Sequence, residues 1–137
     1  LDGVKVGDAA QFTASLGADY TIIKGLRVDA NYRYVDNLYA DFDATDALGE
    51  ENFEALKLPS FGLVDAGASF RLPIGQNNNN LNFRVNVNNV FDTMYISEAD
   101  TNLLAGAGDE TYQGINVNNR VYFGFGRTWN AGVTFNF

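Results

Sequence analysis

A chain of 137 residues with no cysteine and no histidine has no disulfide framework, no thiolate metal site and no imidazole for acid–base or triad catalysis. A net charge of -8, without a basic stripe, excludes a nucleic-acid binder. Hydrophobic residues reach 46%, yet no apolar run approaches the ~18 residues of a membrane helix. A β-barrel needs no such run, because only alternate strand residues face lipid. Carboxylates are plentiful, but no pair with separated environments is legible. No enzyme, no catalytic residue, no cofactor site and no metal site is therefore expected.

Period-two alternation recurs along the chain. Over 11–20, Phe12, Ala14, Leu16, Ala18 and Tyr20 oppose Gln11, Thr13, Ser15, Gly17 and Asp19. Over 26–35, Leu26, Val28, Ala30, Tyr32 and Tyr34 oppose Arg27, Asp29, Asn31 and Arg33. Over 61–72, Val64, Ala66, Ala68, Phe70 and Leu72 oppose Asp65, Gly67, Ser69 and Arg71. Over 81–91, Leu81, Phe83, Val85 and Val87 oppose Asn82, Arg84, Asn86 and Asn88. The run 120–137 places Val121, Phe123, Phe125, Trp129, Ala131, Val133, Phe135 and Phe137 on one face. It exceeds the ~5–6 residues usual for a soluble strand and predicts one long strand ending on Phe137.

The connections alternate between short and long. Residues 21–25 and 73–80 read as turns; 36–60 and 96–119 read as long loops, and they collect most of the carboxylates. Short turns on one side and long loops on the other is the outer-membrane barrel pattern, with the short turns periplasmic. The expected fold is all-β: an antiparallel transmembrane β-barrel segment of about five meandering strands. Five strands do not close, since bacterial single-chain barrels have even numbers from 8 upward. The chain opens at Leu1 rather than Met, so it is expected to be the end of a longer barrel. A soluble sheet would show the same alternation. Its close-packed core would have to fill the gaps left where alanines stand beside large aromatics, whereas lipid accepts that mixture.

Three stretches carry a resemblance: LPSFGLVDAGASFRL at 58–72, LNFRVNVNNVFDTMY at 81–95 and GFGRTWNAGVTFNF at 124–137. Their order, with Asn88-Asn89-Val90-Phe91-Asp92, Tyr95 and Gly126-Arg127, resembles the C-terminal end of TonB-dependent outer-membrane receptors. Val90 stands where Leu is usual, and Phe70 where Tyr is common. The resemblance implies a 22-stranded barrel with a plug domain. It implies energy-coupled uptake of a siderophore, a vitamin-sized metal complex, or an oligosaccharide or peptide, in a Gram-negative outer membrane. The implied partners are membrane lipid, the remaining barrel strands and plug of the parent chain, the TonB complex through that plug, and the barrel-assembly machinery. A surface lipoprotein is a further candidate partner. The competing readings are another outer-membrane barrel, porin or translocator, and a soluble β-sheet binding module.

Candidate ligand contacts in the loops are Tyr39, Asp41, Phe42, Asp43 and Tyr112, which could equally pack the loops on one another. The segment 41–46 fails as an EF-hand because Asp46 stands where Gly is required. Arg27, Asp29, Arg33, Asp65, Arg71 and Arg84 are expected on the lumen side, pairing across strands. Strict alternation would turn Arg127 to lipid, so an interface position or a bulge after Gly126 is expected. Trp129, Val133, Phe135 and Phe137 resemble the C-terminal signal for barrel assembly. The C-terminus is expected to be periplasmic and the acidic loops extracellular.

Overall fold

Alternation of apolar and polar residues gives a strand two dissimilar faces. In the computed structural model, which describes residues 5–43, 45, 49, 53–75 and 79–137, that rhythm becomes an antiparallel sheet. Its strands are β1 (Phe12–Ile23), β2 (Leu26–Asp36), β3 (Phe61–Pro73), β4 (Asn80–Asn88) and β9 (Thr128–Asn136). The order is β1-β2-β3-β4-β9, with β1 and β9 at open edges. Four short strands lie between β4 and β9: β5 (Ile96–Ala99), β6 (Thr111–Tyr112), β7 (Ile115–Asn116) and β8 (Val121–Phe123).

The chain divides into two compact units. The first comprises the described residues of Ser15–Arg33, Gly62–Thr93 and Phe125–Phe137. Register there sorts the faces. Phe70 pairs with Phe83, which pairs with Val133; Leu72 pairs with Leu81, which pairs with Phe135. These rows form an apolar face whose Phe83, Val85, Trp129 and Val133 are exposed. The opposite face carries Ser69 beside Arg84 and Asn86 beside Asn130. The turn from β1 to β2 is Lys24-Gly25, and Gly25 takes a positive φ of 91°.

The second unit comprises the described residues of Leu1–Ala14, Tyr34–Phe61 and Met94–Gly124. It contains most of what the sequence marks as long loops, and it has a core of its own. Leu38, Ala40, Leu56, Leu58, Ile96, Ala99 and Ile115 are buried together. Two segments run antiparallel there: Ala40 N–H donates to Leu56 O at 2.9 Å and Leu58 N–H to Leu38 O at 2.8 Å. β5 pairs with β8, and β6 pairs with β7 across a Gln113-Gly114 turn. Both turn residues have positive φ, as a two-residue hairpin of the primed type requires.

Two expectations change. The run 120–137 is not one strand: β8 ends at Phe123 and β9 starts at Thr128. Between them the ladder is interrupted because backbone N–H groups find other acceptors. Gly124 N–H donates to Tyr95 O at 2.9 Å, and Arg127 N–H to the Asp92 carboxylate at 2.7 Å. Arg127 therefore lies outside any strand, exposed, with Nη1 3.5 Å from Val90 O. Nor is 96–119 without strands, since β5, β6 and β7 fall within it.

Candidate functional site

Three groups of side chains carry the candidate chemistry. The first belongs to the unit built from the long connections. A cleft of about 680 Å³ there is lined by Asp41, Phe42, Asp43, Phe53, Leu103 and Leu104 among others. Of the five candidate loop contacts, Asp41, Phe42 and Asp43 thus come together, whereas Tyr39 and Tyr112 lie elsewhere. Phe42 packs on Phe53 with ring centroids 4.9 Å apart, and Tyr112 packs edge-on against Phe123 at 5.9 Å. Tyr39 bridges to Lys57, and the Lys5 ammonium lies 5.7 Å from its ring centroid. The loop aromatics pack the loops on one another, and the Phe42–Phe53 pair also forms a cleft wall.

The cleft carboxylates are partly used by the backbone. Asp41 Oδ1 accepts from Phe42 N–H at 2.9 Å. Asp43 Oδ1 accepts from the N–H and hydroxyl of Thr45, which hold its carboxyl below the usual carboxylate range. Asp46 lies outside the described residues. Sequence reasoning missed the asparagines that shape the walls. Asn102 accepts from Leu56 N–H at 2.6 Å and donates to Glu54 O at 3.0 Å. Asn119, buried, accepts from Leu103 N–H at 2.9 Å and donates to Leu103 O at 2.8 Å. A loop Asn reads as a turn former. In sequence Asn119 stands in a run with Asn116 and Asn118, while Asn102 has no asparagine neighbour.

Asp8 in the same unit is pushed above the ordinary carboxylate value, by partial desolvation of its exposed side chain first and then by repulsion from Asp41 and Asp100. An acid raised on folding favours the folded state when protonated. Its stabilisation is complete below the unfolded value of about 4 and is lost as pH rises through the raised folded value. Asp8→Asn should therefore increase hydrogen-exchange protection of the Ala40 and Leu58 amides at neutral pH. It should also flatten the dependence of that protection on pH above about 4. Unchanged protection with an unchanged pH profile would contradict this.

The second group is the polar face of the sheet. Arg84 Nη1 and Nη2 grip both Asp29 oxygens, at 2.5 and 2.9 Å, and its Nε donates to Asn86 Oδ1 at 2.7 Å. This pair joins β4 to β2 across β3. Gly67 makes it possible: a Cβ there would stand 2.8 Å from the Asp29 carboxylate and closer still to the Arg84 guanidinium. Arg27 pairs with Asp19 at 2.6 Å. Asp65 accepts the Asn89 N–H at 2.9 Å. Arg33 and Arg71 make no ion pair among the described residues. Cross-strand ion pairs thus take up Arg27, Asp29 and Arg84 of the six charged positions expected on the lumen side; Asp65 is used by the turn after β4, and Arg33 and Arg71 are in neither arrangement.

The third group is the turn after β4, where the sequence reads Asn89-Val90-Phe91-Asp92. Asn89 is 4% exposed and has a positive φ of 51°, a backbone region that Asn tolerates better than most residues. Its side chain accepts from Thr93 N–H at 2.8 Å and donates to Thr93 O at 2.9 Å and Phe125 O at 3.2 Å. Asp92 caps Arg127 N–H, and a Cβ on Gly126 would sit 2.9 Å from that carboxylate. The motif after β4 and the Gly126-Arg127 motif before β9 are therefore two halves of one polar joint. In β9, Trp129, Val133 and Phe135 lie on the apolar face opposite Val87, Phe83 and Leu81. Phe137 lies beyond the strand, 98% exposed, with its ring 5.9 Å from that of Phe135.

Comparison with known proteins adds one match. The family model described as TonB dependent receptor-like, beta-barrel, matches residues 1–90. It takes in β1 to β4 with Asn89 and Val90, and leaves Asp92, the short strands β5 to β8 and β9 outside. No curated protein and no solved structure gives a match. The family implies a barrel of the bacterial outer membrane and a plug domain in the parent chain. An open antiparallel sheet with one apolar and one polar face, matched over most of its strands, places this chain in the TonB-dependent receptor-like β-barrel family.

Proposed function

We propose that this segment forms part of the wall of an outer-membrane receptor for TonB-coupled uptake, with no catalytic step of its own. Cargo would be a siderophore, a vitamin-sized metal complex, or an oligosaccharide or peptide. The observation that carries the reading is the family match over residues 1–90, in a sheet whose two edges are both open. An open, apolar-faced sheet is a poor end state in water, because free ladders and exposed aromatics drive association. In a parent barrel, further strands cover the edges and lipid covers the apolar face. The polar face with Asp29 and Arg84 then turns to the lumen and the plug. The cleft at Asp41, Phe42 and Asp43 lies on the extracellular side, where a ligand or a surface lipoprotein would meet it.

The deciding experiment is uptake by cells expressing the parent protein, across iron-complex, vitamin and glycan substrates, with and without inner-membrane energisation. Uptake lost on de-energisation supports the receptor. Uptake that persists supports a passive porin.

The apolar row Trp129, Val133, Phe135 and Phe137 is proposed as the signal read during assembly, with the edge of β9 free to pair by strand addition. Deleting Phe137 from the parent should lower the fraction of heat-modifiable barrel recovered from outer membranes. An unchanged fraction would remove Phe137 from that role.

A further inference from the structure

Surface loops that bury little apolar area open locally, one at a time. The connections 36–60 and 96–119 are built otherwise. Leu38, Ala40, Leu56 and Leu58 come from the first, and Ile96, Ala99 and Ile115 from the second, and all are buried in one cluster. Leu58 and Ile96 are each 1% exposed. Opening either connection alone would therefore strip the apolar cover from the other.

The backbones are laced together as well. The segment 37–41 pairs on one edge with 56–58, through Ala40 N–H to Leu56 O and Leu58 N–H to Leu38 O. On its other edge, Asp41 N–H donates to Ala99 O at 2.7 Å, which is a bond between the two connections. The segment before β1 joins the same edge: Asp8 N–H donates to Tyr39 O and Gln11 N–H to Asn37 O, both at 3.0 Å. Asn102 completes the lacing. Its side-chain amide accepts the Leu56 N–H at 2.6 Å and donates to Glu54 O at 3.0 Å. One amide thus serves the free edge of 54–56 as a neighbouring strand would.

These bonds cross at the cleft of about 680 Å³. Asp41, Phe42 and Phe53 line it from the first connection, and Thr101, Asn102 and Leu103 from the second. The walls belong to different connections, and their separation is set by the shared cluster and by Asn102.

We infer that the two long connections and the segment before β1 form one cooperative lobe that opens as a unit, with Asn102 as the clasp between their backbones. The cleft is then preformed. A molecule that grips one wall acts on both connections and does not have to order a loose loop first. The inference stands on the packing of the lobe and is independent of the cargo proposed above.

The test is hydrogen exchange on the full-length parent protein in micelles, read by mass spectrometry with residue-level fragmentation. Ile96→Val, in the second connection, should speed exchange at Asp100 in that connection about threefold to tenfold. It should speed Ala40 and Leu58, in the first connection, by the same factor. Asn102→Ala should speed Ala40, Leu58 and Asp100 about tenfold, as well as the Leu56 amide that it leaves without an acceptor. Val87→Ala, in β4, should leave Ala40, Leu58 and Asp100 unaltered. Faster exchange at Asp100 with Ala40 and Leu58 unchanged would overturn the inference, because the connections would then open separately. Equal acceleration by Val87→Ala, or loss of the heat-modifiable barrel on Ile96→Val, would also overturn it, because the lobe would then open only together with the sheet.

Discussion

Asn89→Ala is expected to be the most damaging single substitution in the sheet. It removes three hydrogen bonds made by a side chain that is 4% exposed. Thr93 N–H, Thr93 O and Phe125 O then lose partners, at a cost of about 1–3 kcal/mol for each group left buried and unpaired. Ala must also hold a left-handed backbone, which costs a further ~1 kcal/mol. Part of that sum is recovered by water and relaxation, so the expected loss is about 3–5 kcal/mol, a large share of the roughly 5–15 kcal/mol that holds a typical domain folded. The measurement is the urea midpoint for the parent barrel in micelles. Asn89→Gly separates the two contributions: it keeps the backbone conformation and loses the hydrogen bonds, so it should be about 1 kcal/mol milder than Ala. A midpoint for Asn89→Ala equal to that of the unmodified protein would show that the joint between the two motifs carries no stability.

The second large effect concerns Gly67. A Val there would overlap both the Arg84 guanidinium and the Asp29 carboxylate, forcing the pair apart. Overpacking of this kind costs about 1–3 kcal/mol. The ion pair itself adds little, since both side chains are more than a third exposed and such pairs contribute about 0–1 kcal/mol. The decisive comparison is the same substitution beside Arg84→Ala. With the guanidinium gone, the space above Gly67 opens, and a β-branched residue in a strand should then be neutral or stabilising by about 0.5–1 kcal/mol. A cost that stays the same in both backgrounds would mean that Gly67 is needed for its backbone rather than for the space above it.

The alternation that named the strands was legible because period two is a local property of sequence. Residues 26–34, 64–72 and 81–87 keep it without interruption, and β2, β3 and β4 form there. The break at 124–127 was harder to see. Phe125 keeps the phase of the apolar face and Gly126 is neutral, so the run looks continuous until Arg127 falls on the wrong side. That misfit was the visible trace of the joint. Its cause, the Asp92 carboxylate, lies 35 positions away in sequence. The core of the loop unit had a fainter signal: Leu38 with Ala40 and Leu56 with Leu58 each repeat at spacing two. Runs that short are lost among acidic residues, and their burial depends on Ile96, Ala99 and Ile115 arriving from a distant segment. Gly67 could not have been read as a window from sequence at all, because the pair it admits joins strands on either side of it.

The candidate loop contacts illustrate the same limit. Aromatics in an acidic loop have no periodicity to place them, and whether they meet a ligand or one another is decided by tertiary packing. The structure pairs Phe42 with Phe53 and Tyr112 with Phe123. It gathers Asp41, Phe42 and Asp43 at one cleft.

The most direct test of the membrane-wall account is a nitroxide scan along β4. Single cysteines would be introduced at each position from Leu81 to Asn88 of the parent protein, reconstituted in liposomes, and probed by power saturation with oxygen and with a water-soluble nickel chelate. A strand with one face on lipid should show a strict two-residue period. Positions 81, 83, 85 and 87 should favour oxygen, as lipid contact requires, and positions 82, 84, 86 and 88 should favour the chelate or neither reagent. Equal access of the water-soluble reagent to both sets would contradict it and return the sheet to the soluble alternative.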